Sequence, residues 1–385
     1  MAVYLTVVPF ILIGKLVSVR CHEKYENLKH IDLFLTFIPF LMMALIIGLR
    51  GPEVGSDTKN YLSIASWYED TSYKDIILLS LGRGGLTGKV TRLEFGFELV
   101  TKFLYDTFHT TRALLIFMPC VTFFCFWITV NYLSDDPYLS TLIIFSTGFF
   151  TNSLNIARQL TVVGLMCIAD IFILRKRWGL AILMTLIGCS FHQTAIIPFV
   201  FYLFIRQLPI RRKYALYDFA SMLALVVLVH PIAAIFIKFF PKYTKFITRT
   251  DLLAKWGMVR FVWVFEIFIT IYLLMYAFNN IEKKEMTLYD RHLFCTICFT
   301  YLYIGLTYCS QYVWLVSRIG FYFQLGTVFL FPTILIRLRQ NAPKSFYFFC
   351  TFMLYFFFIV WFIFSIKNDP MNVYSSPYLT LSFKP

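Results

Sequence analysis

Acidic residues are scarce in this chain: 21 Asp and Glu stand against 35 Lys and Arg among 385 residues, which gives a net charge of +14. Such an excess is typical of proteins that bind nucleic acid when it covers one soluble face. Here the basic residues fall in short loops between apolar runs, a distribution that membrane topology explains. We therefore expect no nucleic acid partner.

The sequence also lacks the pattern of a disulfide-stabilised or metal-binding protein. It has nine cysteines, an odd number, and all except Cys21 lie inside apolar runs. Cys295-x-x-Cys298 has the spacing of a redox or metal motif, but no second pair accompanies it, and packing is the favoured interpretation. There is no internal repeat, low-complexity tract or second soluble region. We expect one integral membrane domain over 1–385, with no metal and no cofactor.

Apolar residues are abundant, at 59% of the chain, with a mean hydropathy of +0.71. A soluble domain is only about half apolar. A helix needs about 20 apolar residues to cross a bilayer. Runs close to this length stand at 2–19, 32–49, 112–133, 154–174, 215–237, 260–278, 291–311, 317–336 and 345–366.

Three shorter runs, at 138–151, 178–190 and 193–206, need tilt or partial insertion to cross. Counting them predicts an all-α polytopic membrane protein with about 12 transmembrane segments, within a range of 10–13.

The short basic loops predict the orientation, because Lys and Arg concentrate on the cytoplasmic side of a membrane. The loop Ser134–Pro137 is placed with them, although it carries no basic residue. Both chain ends and the loops 50–93, 191–192, 238–259 and 312–316 then lie outside. The basic loops are Arg175–Arg177, Arg206 with Arg211–Lys213, Lys283–Lys284 with Arg291, and Arg337–Lys344.

This topology requires that 94–108 lies along the outer interface instead of crossing. Charged residues recur there at every fourth position, from Glu94 to Asp106, which is the pattern of an amphipathic helix. Residues 50–110 are therefore expected to form an outer-face region with interfacial helices. The apolar residues assigned to the opposite face are Phe95, Phe97, Leu99, Val100, Phe103, Leu104 and Phe108.

Candidate binding residues begin at Arg50, which ends the second apolar run. An arginine at this position contacts either a ligand or lipid phosphate. Asp57 and Tyr61 follow as i,i+4 neighbours on an expected interfacial helix.

Asn155, Arg158 and Gln159 open a later span and are predicted to share one helix face. An arginine inside a span usually faces a cavity or a partner, because burial of its charge in lipid is costly. Arg158 is the strongest candidate, against the alternative of pairing with a helix carbonyl. His192 lies at the tip of a short hairpin, where it serves either as a base, a hydroxyl acceptor, a phosphate donor or a structural residue.

The segment 238–260 is basic although it is expected outside, which suggests an anionic ligand or contact with lipid headgroups. Arg318 starts a later span at the same face. The basic residues of this segment that we assign to substrate binding are Lys242, Lys245 and Arg249.

These motifs resemble the EpsG/Wzy family of polysaccharide polymerases. The resemblance covers about residues 50–205, and Thr161 departs from the Ala-rich continuation common in the family. The motifs are Arg50 with Asp57-x-x-x-Tyr61, Glu94-x-Gly96, Asn155-x-x-Arg158-Gln159 and Ser190-Phe191-His192.

The resemblance implies a glycosyltransferase acting on undecaprenyl-pyrophosphate-linked oligosaccharides, at the outer face of the bacterial inner membrane. Its partners would be membrane lipids, a flippase and a chain-length regulator, and its product an O-antigen, capsule or exopolysaccharide. Arg158, Arg318 and the basic loop would neutralise the pyrophosphate without a metal. Asp57, Glu94 and His192 are the candidates for the catalytic base.

Three other functions remain open. A flippase or transporter of the same lipid-linked sugars would also use broken helices and intramembrane polar residues. A membrane O-acyltransferase acting on glycan would need acyl-donor residues and an early histidine, neither of which stands out. A ligase is chemically so close to a polymerase that the sequence does not separate the two.

Overall fold

The computed structural model describes residues 2–24, 29–80, 93–239, 259–277, 287–310 and 313–368, and these contain helices and no strand. The first half holds α1 (Ala2–Leu5), α2 (Val7–Lys24), α3 (Lys29–Gly48), α4 (Thr58–Trp67), α5 (Tyr73–Ser80), α6 (Phe95–Phe108), α7 (Arg112–Leu133), α8 (Pro137–Ser146), α9 (Phe149–Asn152) and α10 (Ala157–Leu174). The second half holds α11 (Trp178–Phe191), a 3-10 turn (Gln193–Ala195), α12 (Ile196–Gln207), α13 (Arg212–Phe239), α14 (Val259–Ala277), α15 (Leu288–Cys309), α16 (Trp314–Phe323), α17 (Leu325–Asn341) and α18 (Lys344–Asn368).

Eight stretches of helix in the described part of the chain are long and apolar enough to cross a membrane. They coincide with eight of the nine long runs in the sequence, so the prediction of a polytopic all-α membrane protein is confirmed. The ninth run falls on α14, which is counted among the shorter apolar helices. The total of about 12 crossings stays a prediction. The eight stretches are Val3–Cys21, Lys29–Gly48, Arg112–Leu133, Ala157–Leu174, Arg212–Ile232, Leu288–Cys309, Val316–Asn341 and Lys344–Ile366.

Two of the apolar runs are broken where hydropathy gives no signal. The run 138–151 divides into α8 and α9 at Gly148, whose φ of +105° favours glycine because a Cβ is strained in that region. The run 317–336 divides at Gln324, which separates α16 from α17. Gln324 Nε2 donates to the carbonyl of Thr147, so the two breaks lie against each other.

The centre of the molecule is α10, which packs against α7, α11 and α12. Close approach to α7 depends on Gly164, since a Cβ at that position would lie 3.0 Å from Cys125 Cβ. On the other side, α15 packs against α13, α16 and α17. There a Cβ on Gly326 would lie 2.4 Å from the Thr300 nitrogen. Small residues at such crossings allow membrane helices to gain van der Waals contact.

One end of the bundle collects the basic loops that the structure describes, whereas Lys283 and Lys284 lie outside the described residues. Arg175 donates to the Tyr132 hydroxyl, and Arg291 donates to the Leu208 carbonyl. The acidic loop before α8 lies at this end too, since Tyr289 donates to Asp135. The Ser134–Pro137 loop therefore shares an end with the basic loops, as the predicted topology requires.

Arg206, which we assigned to a basic loop, lies instead in α12 and forms a buried ion pair with Asp170. Arg206 Nε donates to Asp170 Oδ1 at 2.9 Å, and Nη2 donates to Oδ2. Both side chains are almost fully buried, and the guanidinium lies 5.7 Å from the centre of the Phe299 ring. The pair joins α10 to α12, and each charge is compensated by the other.

The amphipathic helix predicted at 94–108 is α6, with the expected bounds, but its buried face differs from the prediction. Phe97 and Leu104 are buried, as are Glu98 and Lys102. The outward-facing residues include large aromatic side chains. They are Phe95, Phe103 and Phe108.

The two charges on the buried face of α6 have polar partners. Glu98 Oε1 accepts the Leu93 amide at 3.1 Å, and Lys102 Nζ lies 2.7 Å from Asp106 Oδ1. Our grouping of all seven apolar residues on one face was therefore wrong, because this polar face packs on the protein.

Candidate functional site

The candidate site lies at the end of the bundle opposite the basic loops. Four segments meet there: the turn after α3 with the start of α4, the start of α6, the start of α10, and the tip between α11 and α12. Arg158, near the start of α10, contacts residues of α4 and α6. Its Nη1 lies 2.5 Å from Glu94 Oε2, and its guanidinium carbon lies 5.3 Å from the centre of the Phe97 ring. Its backbone amide donates to the Tyr61 hydroxyl at 3.3 Å.

The Arg158–Glu94 pair is mostly shielded from solvent, since the two side chains keep 22% and 16% of their exposure. A charge pair in such surroundings is screened less than one on the surface. Arg158 therefore has a specific partner, and that partner is a carboxylate rather than the helix carbonyl of the alternative interpretation.

Glu94 also holds the hairpin tip. Its second oxygen, Oε1, accepts the Gln193 amide at 3.4 Å. Two residues further on, Gly96 packs so closely against the tip that a Cβ there would lie 2.2 Å from Ser190 Oγ. This contact gives a physical reason for glycine after Glu94 and for a small residue before Phe191.

His192 is half-buried at the tip, and its Nδ1 is engaged locally. It accepts the Thr194 amide at 3.4 Å and lies 2.8 Å from Thr194 Oγ1. That hydroxyl lies 2.8 Å from the Tyr322 hydroxyl of α16. Burial, reinforced by the charge of Arg158 and opposed by Glu94, lowers the pKa of His192 to about 4, so the ring is neutral at pH 7.

Asp57 is half-buried in the turn between α3 and α4. It occupies the N-cap position of α4, but its side chain makes no capping hydrogen bond. Burial raises the pKa of Asp57, while a hydrogen bond from Ser56 and the charges of Arg318, Arg158 and Arg50 oppose the rise. The three arginines therefore lie within electrostatic range of one carboxyl group.

Contacts with the start of α10 hold this turn. The Ser56 amide donates to Asn155 Oδ1 at 2.7 Å. Gly55 has a φ of +85°, and a Cβ there would lie 2.4 Å from the Leu154 carbonyl oxygen. Glycine is required for both reasons, and the contact brings Asp57 towards Arg158.

Arg50 is only 1% exposed, so it does not extend to lipid phosphate. Its Nη1 donates to the Ile47 carbonyl at 2.7 Å, and its Nε donates to Thr58 Oγ1 at 2.8 Å. Arg50 thereby joins the end of α3 to the start of α4. Its charge acts on Asp57 in the site. Contact between Arg50 and substrate stays a prediction.

Asn155, Arg158 and Gln159 do not share a helix face, contrary to the sequence prediction. Asn155 precedes α10, which begins at Ala157, so helical spacing does not apply to it. Gln159 Nε2 donates to the Arg318 carbonyl at 2.7 Å and thus ties α10 to α16. Arg318 is half-buried and acts electrostatically on Asp57 and His192.

The structure therefore brings together eight of the twelve candidate residues, while a ninth, Gln159, joins α10 to α16 through the Arg318 carbonyl. Lys242, Lys245 and Arg249 lie outside the described residues. The sequence analysis missed Thr194, Tyr322 and Phe97, which contact the site. Thr194 is close to His192 in the chain, but Tyr322 reaches the tip only through the folding of α16. The eight gathered residues are Arg50, Asp57, Tyr61, Glu94, Asn155, Arg158, His192 and Arg318.

Comparison with known proteins gives one match. The family model described as the EpsG family matches residues 33–378, far beyond the motifs at 50–205 that suggested the resemblance. No curated protein and no solved structure matches the chain. The extent of the match leaves one conclusion: the chain belongs to the EpsG family, the family of Wzy-type polysaccharide polymerases.

Proposed function

We propose that this protein is a repeat-unit polymerase that transfers a growing glycan from undecaprenyl pyrophosphate to a sugar hydroxyl of a second lipid-linked repeat unit. The polymerase role follows from the family. The observation that carries the specific reaction is the convergence of arginines and a half-buried carboxyl group, Asp57, at one end of a helical bundle.

The reaction suits this arrangement. The bond between the sugar C1 and the pyrophosphate oxygen breaks, and a new C1–oxygen bond forms to the acceptor. Negative charge develops on the leaving pyrophosphate, where preorganised cations stabilise it. Arg158 and Arg318 are placed for that contact, and guanidinium groups match phosphate oxygens in a bidentate manner.

We propose that the site faces the exterior of a bacterial inner membrane. The basic loops at the opposite end support this orientation, since such loops stay in the cytoplasm. Lys242, Lys245 and Arg249 would add cations on the same outer side. Membrane lipids, a flippase and a chain-length regulator are the proposed partners.

A deletion strain tests this function. Loss of a polymerase should leave surface glycan that carries a single repeat unit, and the wild-type gene should restore the ladder of lengths. Loss of a flippase or a ligase should remove surface glycan altogether, and this outcome would contradict the proposal. Glycan of normal length that lacks only acyl groups would indicate an O-acyltransferase.

A purified system gives the direct measurement. The protein in detergent or liposomes, given only lipid-linked repeat units, should produce a ladder of lipid-linked oligomers. A chelator should leave the ladder intact, because the proposed charge neutralisation uses arginines rather than a metal.

A further inference from the structure

Three groups at the site are chemically able to take a proton from the acceptor hydroxyl: Asp57, Glu94 and His192. A general base needs a free lone pair within hydrogen-bond reach of the proton that it removes. The three groups differ in whether their basic atoms are already hydrogen-bonded, and this difference assigns a separate function to each.

Both oxygens of Glu94 already accept hydrogen bonds. Oε2 is paired with Arg158 at 2.5 Å, and Oε1 accepts the Gln193 amide at 3.4 Å. Proton transfer to Oε2 would neutralise the partner of a shielded guanidinium, which is costly. Glu94 is therefore suited to hold Arg158 and the hairpin tip in place.

The free nitrogen of His192 is not the basic one. A backbone N–H only donates, so the Thr194 amide identifies Nδ1 as the acceptor nitrogen. In a neutral imidazole the other nitrogen then carries the proton. Nε2–H is thus a hydrogen-bond donor, and the nearby charge of Arg158 keeps the ring from protonating further.

Of the three groups, Asp57 makes the fewest structural contacts. Among the described residues its hydrogen bond is a long one, 3.3 Å from Ser56 Oγ to Oδ1, and Oδ2 has no partner. The N-cap position would normally engage this side chain, yet it makes no capping bond. A half-buried carboxylate with a free oxygen beside several arginines has the geometry of a base next to an anion site.

We infer that Asp57 is the general base of the transfer, that Glu94 is a positioning residue for Arg158, and that His192 donates a hydrogen bond through Nε2. This inference rests on the proposed function. Asp57 takes the proton of the acceptor hydroxyl, whose oxygen forms the bond to C1. The C1–oxygen bond to pyrophosphate breaks, undecaprenyl pyrophosphate leaves with the electron pair, and the proton later passes from Asp57 to water.

The charges around Asp57 agree with this function. Burial raises the pKa of Asp57 above the ordinary aspartate value, which makes its carboxylate a better base, and the charges of Arg318, Arg158 and Arg50 oppose the rise. The rate should therefore fall on the acid side with one titration, at a pKa above the ordinary aspartate value.

The experiment compares Asp57→Asn, Glu94→Gln and His192→Asn, with Glu53→Gln as the control. Glu53 lies in the same turn, is exposed and pairs with Lys59. The rate of oligomer formation by purified protein is measured against pH and against substrate concentration. Thermal denaturation in detergent checks that each variant folds, and Asp57→Asn should fold normally because asparagine is an equally good N-cap residue.

We expect Asp57→Asn to lower kcat by about 10²–10⁴-fold with little change in KM. Its residual rate should no longer show the acid-side titration. Glu94→Gln keeps the shape of the side chain but loses the charge and one of the two acceptor oxygens, so it can accept from Arg158 or from the Gln193 amide but not from both. It should therefore mainly raise KM and retain that titration, as should His192→Asn. Glu53→Gln should behave as wild type.

The opposite pattern would overturn the inference. If Asp57→Asn retains the acid-side titration and Glu94→Gln or His192→Asn loses it, the latter residue is the base. A wild-type protein that forms no oligomers would instead contradict the proposed function, and the two failures are thereby distinguishable.

Discussion

At the scale of single residues, the arginines of the site differ in what they are free to do. The side chain of Arg50 donates hydrogen bonds to the Ile47 carbonyl and to the Thr58 hydroxyl. Arg158 pairs with Glu94, lies over the Phe97 ring and keeps 22% of its side-chain exposure. We therefore propose Arg158 as the cation that contacts the pyrophosphate directly.

Replacement of Arg158 tests this assignment. Arg158→Ala should abolish chain extension, and Arg158→Lys should fail as well, since an ammonium group offers a point charge instead of a planar, bidentate fork. Lysine would also lose stacking on Phe97. The measurement is the length distribution of glycan in cells that produce equal amounts of membrane-inserted protein.

Lys59→Ala is the matched control for these variants, because Lys59 is exposed near the same site. It should leave chain length unchanged. Wild-type chain lengths in Arg158→Ala would remove Arg158 from the mechanism.

The candidate residues themselves were accessible from the sequence, since a charge beside an apolar run is costly and needs an explanation. Their partners were not. Arg158 and Glu94 are 64 positions apart, and Tyr322 is 128 positions from Thr194. Contacts over such separations depend on how α6, α10 and α16 pack.

At the scale of elements, α6 and the hairpin of α11 and α12 act as one support for the site. Gly96 packs on Ser190, and Glu94 reaches the Gln193 amide from the same end of α6. The position of Arg158 therefore depends on this crossing as well as on its own helix.

Gly96→Ala tests the crossing. Its Cβ would meet Ser190 Oγ at 2.2 Å, so α6 must shift, at a cost of about 1–3 kcal/mol for overpacking. We expect a lower melting temperature in detergent and a large loss of polymerisation. Ser190→Gly in the same chain should restore part of both, because it removes the hydroxymethyl group.

Gly179→Ala is the opposite control in the same hairpin. No atom outside its own helix lies within 4 Å of a Cβ at this position of α11. Alanine should therefore preserve activity and add up to about 1 kcal/mol of stability through its helix propensity. Equal effects of the two substitutions would show that the contact with Ser190 has no importance.

Element boundaries were largely predictable, because hydropathy and helix length are local properties of the sequence. The buried face of α6 was not, because the Leu93 amide before the helix is a partner for Glu98 and the Glu69 carbonyl, distant in the chain, is a partner for Lys102. An amphipathic pattern identifies two faces, and only the neighbours decide which of them is inside.

At the scale of the whole molecule, the polar residues divide between two ends of the bundle. The basic loops and the Ser134–Pro137 loop form one end, and the candidate site forms the other. If the basic end is cytoplasmic, the site opens to the exterior.

Cysteine labelling tests this arrangement in intact cells. A membrane-impermeant maleimide should label Asp70→Cys and Lys245→Cys, and it should label Lys176→Cys only after the cells are permeabilised. The background is a chain without its nine native cysteines. Labelling of positions 70 and 245 from opposite sides would show that the two segments lie on different faces of the membrane. They could not then line one cavity, and the enzymatic interpretation would be wrong.

The sequence by itself determined that this is a polytopic helical membrane protein and which polar residues require an explanation, because these properties follow from local hydropathy, charge and spacing. Only the tertiary structure decided how those residues are used. Glu94 is engaged by Arg158 and Nδ1 of His192 by Thr194, whereas Oδ2 of Asp57 has no hydrogen-bond partner among the residues that the structure describes. Which polar atoms already have a hydrogen-bond partner depends on the packing of segments that are distant in the chain, so a local sequence pattern does not predict it.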